Sequence, residues 1–306
     1  MGAMTTTQAS GDRLVAVTGV TGGLGRRVAR RLVNAGVPQR VLARDASRVP
    51  EYLQGVEIAQ MGGGYADGDA IRSALKGVHT LFLVSASETA DRRDVHGAAV
   101  DAAVDAGVAH IVYLSFLGAG PNSTFTLGRD HFHTEEHIKA SGVAYTMLRD
   151  NLYLDVWLHF AGPDGVLRGP AGDGRFAGVA RDDVADVAAV VLGAAARGDT
   201  THEGQTYDLT GPESISLAEI AEQLTLALGQ SITYEPETLD QAYASRAVYG
   251  APDWQVTAWV TTYVAIATGE LDVVTPTVRD LTGHEPRSFA QFLDENRPYR
   301  ATVGTT

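Results

Sequence analysis

Six short, nearly continuous apolar runs, at residues 14–17, 40–43, 56–61, 80–84, 111–114 and 144–148, punctuate the first half of the chain. Between them lie stretches with a helical pattern: 26–36, 69–76, 91–106 and 129–140. Strands that are apolar throughout must be covered on both faces, and strands alternating with helices meet that requirement as a parallel sheet between two helical layers. For residues 12–150 this predicts an α/β, doubly wound Rossmann domain. After Arg149 the rhythm breaks. Turn-rich segments at 162–165 and 169–174 are followed by a helix over 184–196 capped by Asp182 or Asp183. A strand over 206–209 and a helix over 217–228, capped within 214–216, come next. Residues 151–300 are therefore expected to form mainly a smaller α+β substrate lobe, with about 175–200 returning to the first domain and a substrate cleft between the two. Residues 1–11 and 301–306 are expected to be disordered, and Met1-Gly2-Ala3 ahead of Met4 reads as a cloning remnant.

The turn after the first strand carries the most specific chemistry. Thr18-Gly19-Val20-Thr21-Gly22-Gly23-Leu24-Gly25 joins an apolar strand to an amphipathic helix, the context in which a glycine fingerprint binds a dinucleotide. Gly19 permits the tight turn, Gly22 and Gly23 let backbone approach a diphosphate, and Gly25 lets helix and strand close together. The amides at the helix start, with Thr21 and Leu24 in the same turn, face the phosphates. At the end of the second strand an acidic residue would accept from a ribose hydroxyl, whereas arginine suits a 2′-phosphate. Arg44 holds that position, with Arg48 one short turn on. Its fork matches phosphate geometry, so NADP(H) is the expected cofactor; Asp45 as ribose acceptor is the alternative.

Composition narrows the classes further. The formal net charge of −13 argues against a nucleic-acid surface, which needs clustered Lys and Arg. The absence of cysteine excludes disulfides, thiolate metal sites and a cysteine nucleophile. No apolar run approaches a membrane span and no signal peptide precedes the first strand, so a cytoplasmic protein is expected, with homodimerisation left open. Residues 133–137 match the zinc pattern H-x-x-E-H, with His133 and His137 one helical turn apart. No third ligand is evident and the motif falls inside a Rossmann unit, so no metal is expected.

Residues 18–25, 41–44, 81–87, 131–142, 148–153 and 171–183, with 202–204 and 281–284, resemble the NmrA-like, atypical short-chain dehydrogenase/reductase family, in particular its type-2 quinone reductases and triphenylmethane reductases. The resemblance implies a loop of Ser85, Ala86 and Ser87 beside the cofactor's central riboses, Ser115 near the nicotinamide, and Asp150 to Tyr153 bordering nicotinamide and substrate. His131 is the implied cleft histidine. Two departures stand out. Short-chain reductases commonly use Tyr-x-x-x-Lys, but the only lysines are Lys76 and Lys139, preceded four residues earlier by Arg72 and Glu135. Glu136 falls where quinone reductases have lysine and, with Phe132, is expected to face the cleft and position the cofactor. Gly64 replaces an Asp that borders the adenine.

The expected function is NADPH-dependent hydride transfer to a small conjugated organic electrophile such as a quinone. Such an acceptor spreads the incoming charge and has less need of a tyrosine acid. The catalytic candidates are His131, Glu136 and Tyr153. The alternatives are a carbonyl or imine reductase with a His or Tyr proton donor (His131, His133 or Tyr153), and a non-catalytic NADP sensor that alters a protein contact.

Overall fold

The computed structural model describes residues 12–296. Residues 1–11 and 301–306, expected to be disordered, lie outside the described residues. The first half runs β1 (Val15–Val17), α1 (Gly25–Asn34), β2 (Gln39–Ala43), β3 (Glu57–Gln60), α2 (Gly68–Ala74), β4 (Thr80–Leu83), α3 (Arg92–Asp105), β5 (His110–Phe116), α4 (Thr126–Ala140) and β6 (Ala144–Asp150). The second half continues with β7 (Val166–Gly169), β8 (Arg175–Phe176), α5 (Arg181–Ala196), β9 (Gln205–Leu209), β10 (Ile215–Ser216), α6 (Leu217–Leu228) and β11 (Thr233–Pro236). Helices α7 (Leu239–Arg246), α8 (Asp253–Ala267), α9 (Thr277–Thr282) and α10 (Phe289–Glu295) close it.

Seven strands form one sheet in the order β3-β2-β1-β4-β5-β6-β9, and every pair is parallel. The order reverses between β1 and β4, so the crevice beyond their carboxyl ends is where a doubly wound sheet binds ligands. Burial explains the unbroken apolar strands. Val15, Val17, Phe82 and Val112 pack on the α1/α5 side, whereas Ala16, Leu81, Leu83 and Ile111 pack on the side of α2, α3 and α4. A third cluster, built around Trp157, Phe176, Leu217, Ile266 and Phe289, holds the second half together. There β7 pairs with β11 in parallel and β8 with β10 in antiparallel fashion.

Two expectations need correction. The helix expected from Val184 begins at Arg181 behind Ala180, and neither Asp182 nor Asp183 caps it. Both sit in its first turn, where carboxylates suit the dipole. Asp182 bonds Arg27 at 3.1 Å and Arg31 at 3.0 Å, while the fully buried Asp183 accepts the Arg287 backbone N–H at 2.8 Å and its guanidinium. The seventh strand, β9, also joins the main sheet from beyond the expected return segment. Ser216 caps α6 in a reciprocal box with Glu219, within the expected 214–216.

A Cβ added at Gly25 would lie 2.4 Å from the Thr18 carbonyl oxygen and 2.5 Å from that of Gly19, both immovable backbone. Gly25→Ala should therefore cost about 2–3 kcal/mol and lower the melting temperature, because the whole of α1 must shift. A thermal melt indistinguishable from the parent would show that helix and strand do not need this approach.

Candidate active site

The sequence-selected residues gather along one edge of the sheet, past the carboxyl ends of successive strands. The glycine turn follows β1, Arg44 and Arg48 follow β2, residues 85–87 follow β4, and Ser115, Asp150 and Tyr153 stand at or past the ends of β5 and β6. Gly19 has φ +66, the conformation only glycine adopts cheaply, and a Cβ there would meet Val84 at 3.0 Å. Thr21 and Gly22 are exposed, while the Leu24 side chain is buried in the core, leaving its backbone as the part that can face a ligand. The amides of Gly23 and Leu24 donate to no protein acceptor among the described residues. A helix start with open amides and no side chain at Gly22 or Gly23 is the cradle a diphosphate fits. Thr18 locks this edge: its hydroxyl donates to the Phe82 carbonyl at 3.0 Å and accepts from Val84 N–H at 2.9 Å and Tyr65 hydroxyl at 2.6 Å.

The loop after β4 is fixed by a buried polar network that sequence reasoning missed. Ala86 N–H donates to His96 Nε2 at 2.8 Å, and Arg92 Nε donates to the Ala86 carbonyl at 3.1 Å. His96 Nε2 is therefore unprotonated, and Nδ1 donates to Thr134 Oγ1 at 2.8 Å. Arg92 also donates to His131 Nε2 at 3.0 Å, so His131 carries its proton on Nδ1, 3.0 Å from the Tyr113 hydroxyl. Burial and the neighbouring Arg92 hold the His131 ring well below the usual histidine range. This corrects its expected role: His131 is a neutral, fully partnered structural group with no proton to offer a substrate. His133 lies on the exposed face.

Helix α4 buries a different set of residues from the expected cleft pair. The face over the sheet carries His131, Thr134, Glu135 and Ile138, not Phe132 and Glu136. Glu135 is completely buried and receives Arg149 through two bonds of 2.8 and 2.6 Å, plus the Ser115 hydroxyl at 2.6 Å. Glu136, expected to face the cleft and position the cofactor, is exposed and pairs with Lys139 at 2.9 Å. Ser115 is fully buried and its proton is committed to Glu135. Of the H-x-x-E-H residues, His137 bonds Asp101 at 2.6 Å. A different trio, Asp183, Asp186 and His284, brings its ligand atoms within 4.8 Å. The guanidiniums of Arg31 and Arg287 already occupy its carboxylates.

At the end of β6, the Tyr153 hydroxyl donates to Asp150 Oδ2. Burial pushes Asp150 up to about 7 against the lowering effects of the Tyr153 bond and Arg181. Burial and the Asp150 carboxylate push Tyr153 well above the usual phenol range. The Arg181 guanidinium stacks 4.3 Å from the Tyr153 ring centre and reaches Asp155 at 3.3 Å. Its position directly before two aspartates that read as helix caps hid it from the sequence. The Glu135 signal was available: it lies four residues after His131 on the same helical face.

A nucleotide cradle on a doubly wound sheet, with polar groups converging on the adjoining crevice, defines an NAD(P)H-dependent oxidoreductase. The family model described as NAD(P)H-binding matches residues 19–195, and the chain belongs to that family, in its NmrA-like atypical short-chain dehydrogenase/reductase group. It is 37% identical over 288 residues to (4-alkanoyl-5-oxo-2,5-dihydrofuran-3-yl)methyl phosphate reductase of Streptomyces griseus, covering 92% of this chain and 98% of the relative. To Quinone oxidoreductase 2 of Escherichia coli it is 34% identical over 92% of this chain and 97% of the relative. The crystal structure of that NADPH-dependent quinone oxidoreductase complexed with NADPH superposes with a TM-score of 0.82, 32% identity and coverage of 92% and 99%. Triphenylmethane reductase of Citrobacter complexed with NADP(H) gives 0.80 at 27% identity, covering 92% and 99%.

Glu135→Gln should cost about 2–4 kcal/mol of stability by leaving the Arg149 charge without its carboxylate. Glu136→Gln should cost under about 0.5 kcal/mol and keep turnover within about tenfold. Denaturant titration of both variants, with NADPH oxidation for the second, checks the pair; equal losses would reverse the assignment of the two faces.

Acid should destabilise the fold through its buried histidines. Burial holds His96 at about 3 and His110 at about 4, so the unfolded chain takes up their protons first. Their contribution is complete above about pH 6.5 and is lost as pH falls toward those values, about 2 kcal/mol each between pH 7.5 and 5. Asp150 acts in the opposite sense: raised to about 7, it binds a proton in the folded chain first and returns about 2 kcal/mol over the same interval. Asp150→Asn should thus lose about 2 kcal/mol more than the parent between pH 7.5 and 5 in denaturant titrations. Parallel pH dependences would place Asp150 outside this balance.

Proposed function

We propose that this protein is an NADPH-dependent reductase of small conjugated organic electrophiles. The cofactor preference rests on the end of β2. Arg44 and Arg48 are exposed there, and the Arg44 stem lies across Gly64, where a Cβ would sit 3.3 Å from its Cδ. Gly64 thereby leaves room for the arginine. Asp45, the competing ribose acceptor, takes the Ser47 backbone N–H at 2.9 Å and hydroxyl at 2.7 Å on its Oδ1, which holds it to its own turn. Arg44 at the end of β2, seated over Gly64, is the observation that carries the NADPH reading.

The acceptor class follows from what the site offers. Bound NADPH supplies a hydride; the chain's own residues must hold the ring, exclude water and manage a proton. Helix α4 presents no Tyr-Lys pair, and neither Ser115 nor His131 has a free proton. Acceptors that delocalise the incoming charge need the least from such a site. The relatives' names fit: the dihydrofuranone ring carries a carbon–carbon double bond conjugated to its carbonyl, quinones are conjugated diones, and triphenylmethane substrates are extended conjugated systems. Where a proton is needed, Tyr153 bonded to Asp150 is the candidate donor, which keeps a carbonyl or imine reductase as the second reading.

Steady-state NADPH oxidation with a quinone, an unsaturated lactone, a cationic triphenylmethane dye and a simple aldehyde tests the acceptor class. The first three should turn over and the aldehyde should not; turnover with the aldehyde alone would favour the second reading. Arg44→Ala should cost about 1.5–3 kcal/mol of NADPH affinity, roughly 10- to 100-fold, and leave NADH within about threefold. Calorimetric titrations showing equal losses would remove the phosphate assignment.

A further inference from the structure

Arg181 occupies a position that the proposed function leaves unused. Its Cδ and Nε lie 3.3 Å from where a Cβ on Gly23 would sit, so its stem covers the fingerprint turn. Its guanidinium lies 4.3 Å from the Tyr153 ring centre, and its Nη1 is 3.3 Å from Asp155. Its own backbone N–H also donates to Asp155 at 3.2 Å, which fixes the start of α5 against the chain leaving β6. Arg27, whose Nη1 donates to the Gly23 carbonyl at 2.6 Å, shares Asp155 at 3.6 Å. One side chain therefore spans the gap between the phosphate cradle and the Asp150–Tyr153 pair.

We propose that Arg181 couples cofactor binding to protonation: it contacts the cofactor's diphosphate at Gly23, and its charge is the link through which that contact loads a proton onto the Asp150–Tyr153 pair. The inference rests on the reading that the glycine turn holds the diphosphate. In the free protein the Arg181 cation favours the ionised forms of both acids. The charged groups facing the pair are Arg181 from the start of α5 and Asp155 from the turn after β6; Asp155 opposes ionisation of Tyr153. A diphosphate beside the guanidinium offsets its field, so the carboxylate loses its main cationic support. With Asp150 near 7 before binding, a modest upward displacement moves it from partly to mostly protonated at pH 7.5. The proton comes from solvent and rests on Asp150, bonded to the Tyr153 hydroxyl. The pair then already holds its proton when NADPH is in place.

Proton uptake on binding is the direct readout, and it requires no turnover. Calorimetric titration of NADPH at pH 7.5 in buffers of different ionisation enthalpy should show uptake of roughly half a proton by the parent. Arg181→Gln should weaken NADPH at least tenfold and reduce that uptake severalfold, because Asp150 is already more protonated in the free variant. Arg181→Lys, which keeps the charge, should retain most of the uptake, and Asp150→Asn should abolish it while still binding NADPH. Circular dichroism confirms that each variant is folded. Unchanged affinity in Arg181→Gln, or uptake that persists in Asp150→Asn, overturns the inference. Failure of every acceptor to oxidise NADPH would instead overturn the proposed reductase function, and would leave the measured coupling standing.

Discussion

The contact of Gly25 with the carbonyls of Thr18 and Gly19 sets how closely α1 follows β1, and much of the molecule depends on that distance. With α1 held there, Val28 and Leu32 meet Val184, Val187 and Val191 of α5 in the core. Burying each such side chain contributes about 1.5–3 kcal/mol. The half-exposed pairs Arg27–Asp182, Arg31–Asp182 and Arg31–Asp186 on the rim contribute about 0–1 kcal/mol each. Apolar burial therefore makes the helices pack, while the ion pairs choose their register. That register delivers Arg181 to Gly23, so a glycine in the first loop positions a cation contributed by the second half of the chain.

On the opposite face of the sheet, α3 and α4 use their buried side for polar chemistry that never needs to reach a ligand. Glu135, Arg149 and Ser115 tie the helix to the ends of β5 and β6. His96, Thr134, Tyr113, His131 and Arg92 form a second, adjoining network. A buried carboxylate is costly unless its acceptors are filled, and Glu135 receives three bonds. The network holds the 85–87 loop, because both the N–H and the carbonyl of Ala86 are engaged by side chains from α3. A loop held in this way needs no ordering to receive a ligand beside it.

The doubly wound sheet was legible in the sequence because strands buried on both faces admit no polar interruption, and the six expected runs all became strands of the sheet. The glycine turn was legible for the same kind of reason: Gly25 is required by backbone contact, whatever the ligand. The buried role of Glu135 was missed because motif alignment drew attention to the neighbouring position 136. A shift of one residue rotates a side chain by about 100°, enough to exchange buried Glu135 for exposed Glu136. The buried partners of His131, expected in the cleft, could not be read from the sequence, since Arg92 and Tyr113 are 39 and 18 residues away. The short strands β7, β8, β10 and β11 escaped notice because runs of two to four residues carry no measurable period. Arg181 was hidden by its own neighbours, whose carboxylates read as helix caps.

Under the proposed coupling, two duties that short-chain reductases commonly combine on one helix are separated. Here α4 presents neither tyrosine nor lysine to the crevice, and its buried face is committed to the sheet and the 85–87 loop. The titratable pair sits instead at the end of β6, on a segment that also contacts the start of α5 through Arg181. A proton donor on α4 would be set by the sheet alone. One at the end of β6 answers to whatever occupies the glycine turn, because the same arginine borders both. For acceptors that take a hydride without needing a proton in the same event, such a donor has only to be ready afterwards. An acid near 7 that exchanges its proton with solvent meets that requirement, whereas a strongly depressed phenol is not needed.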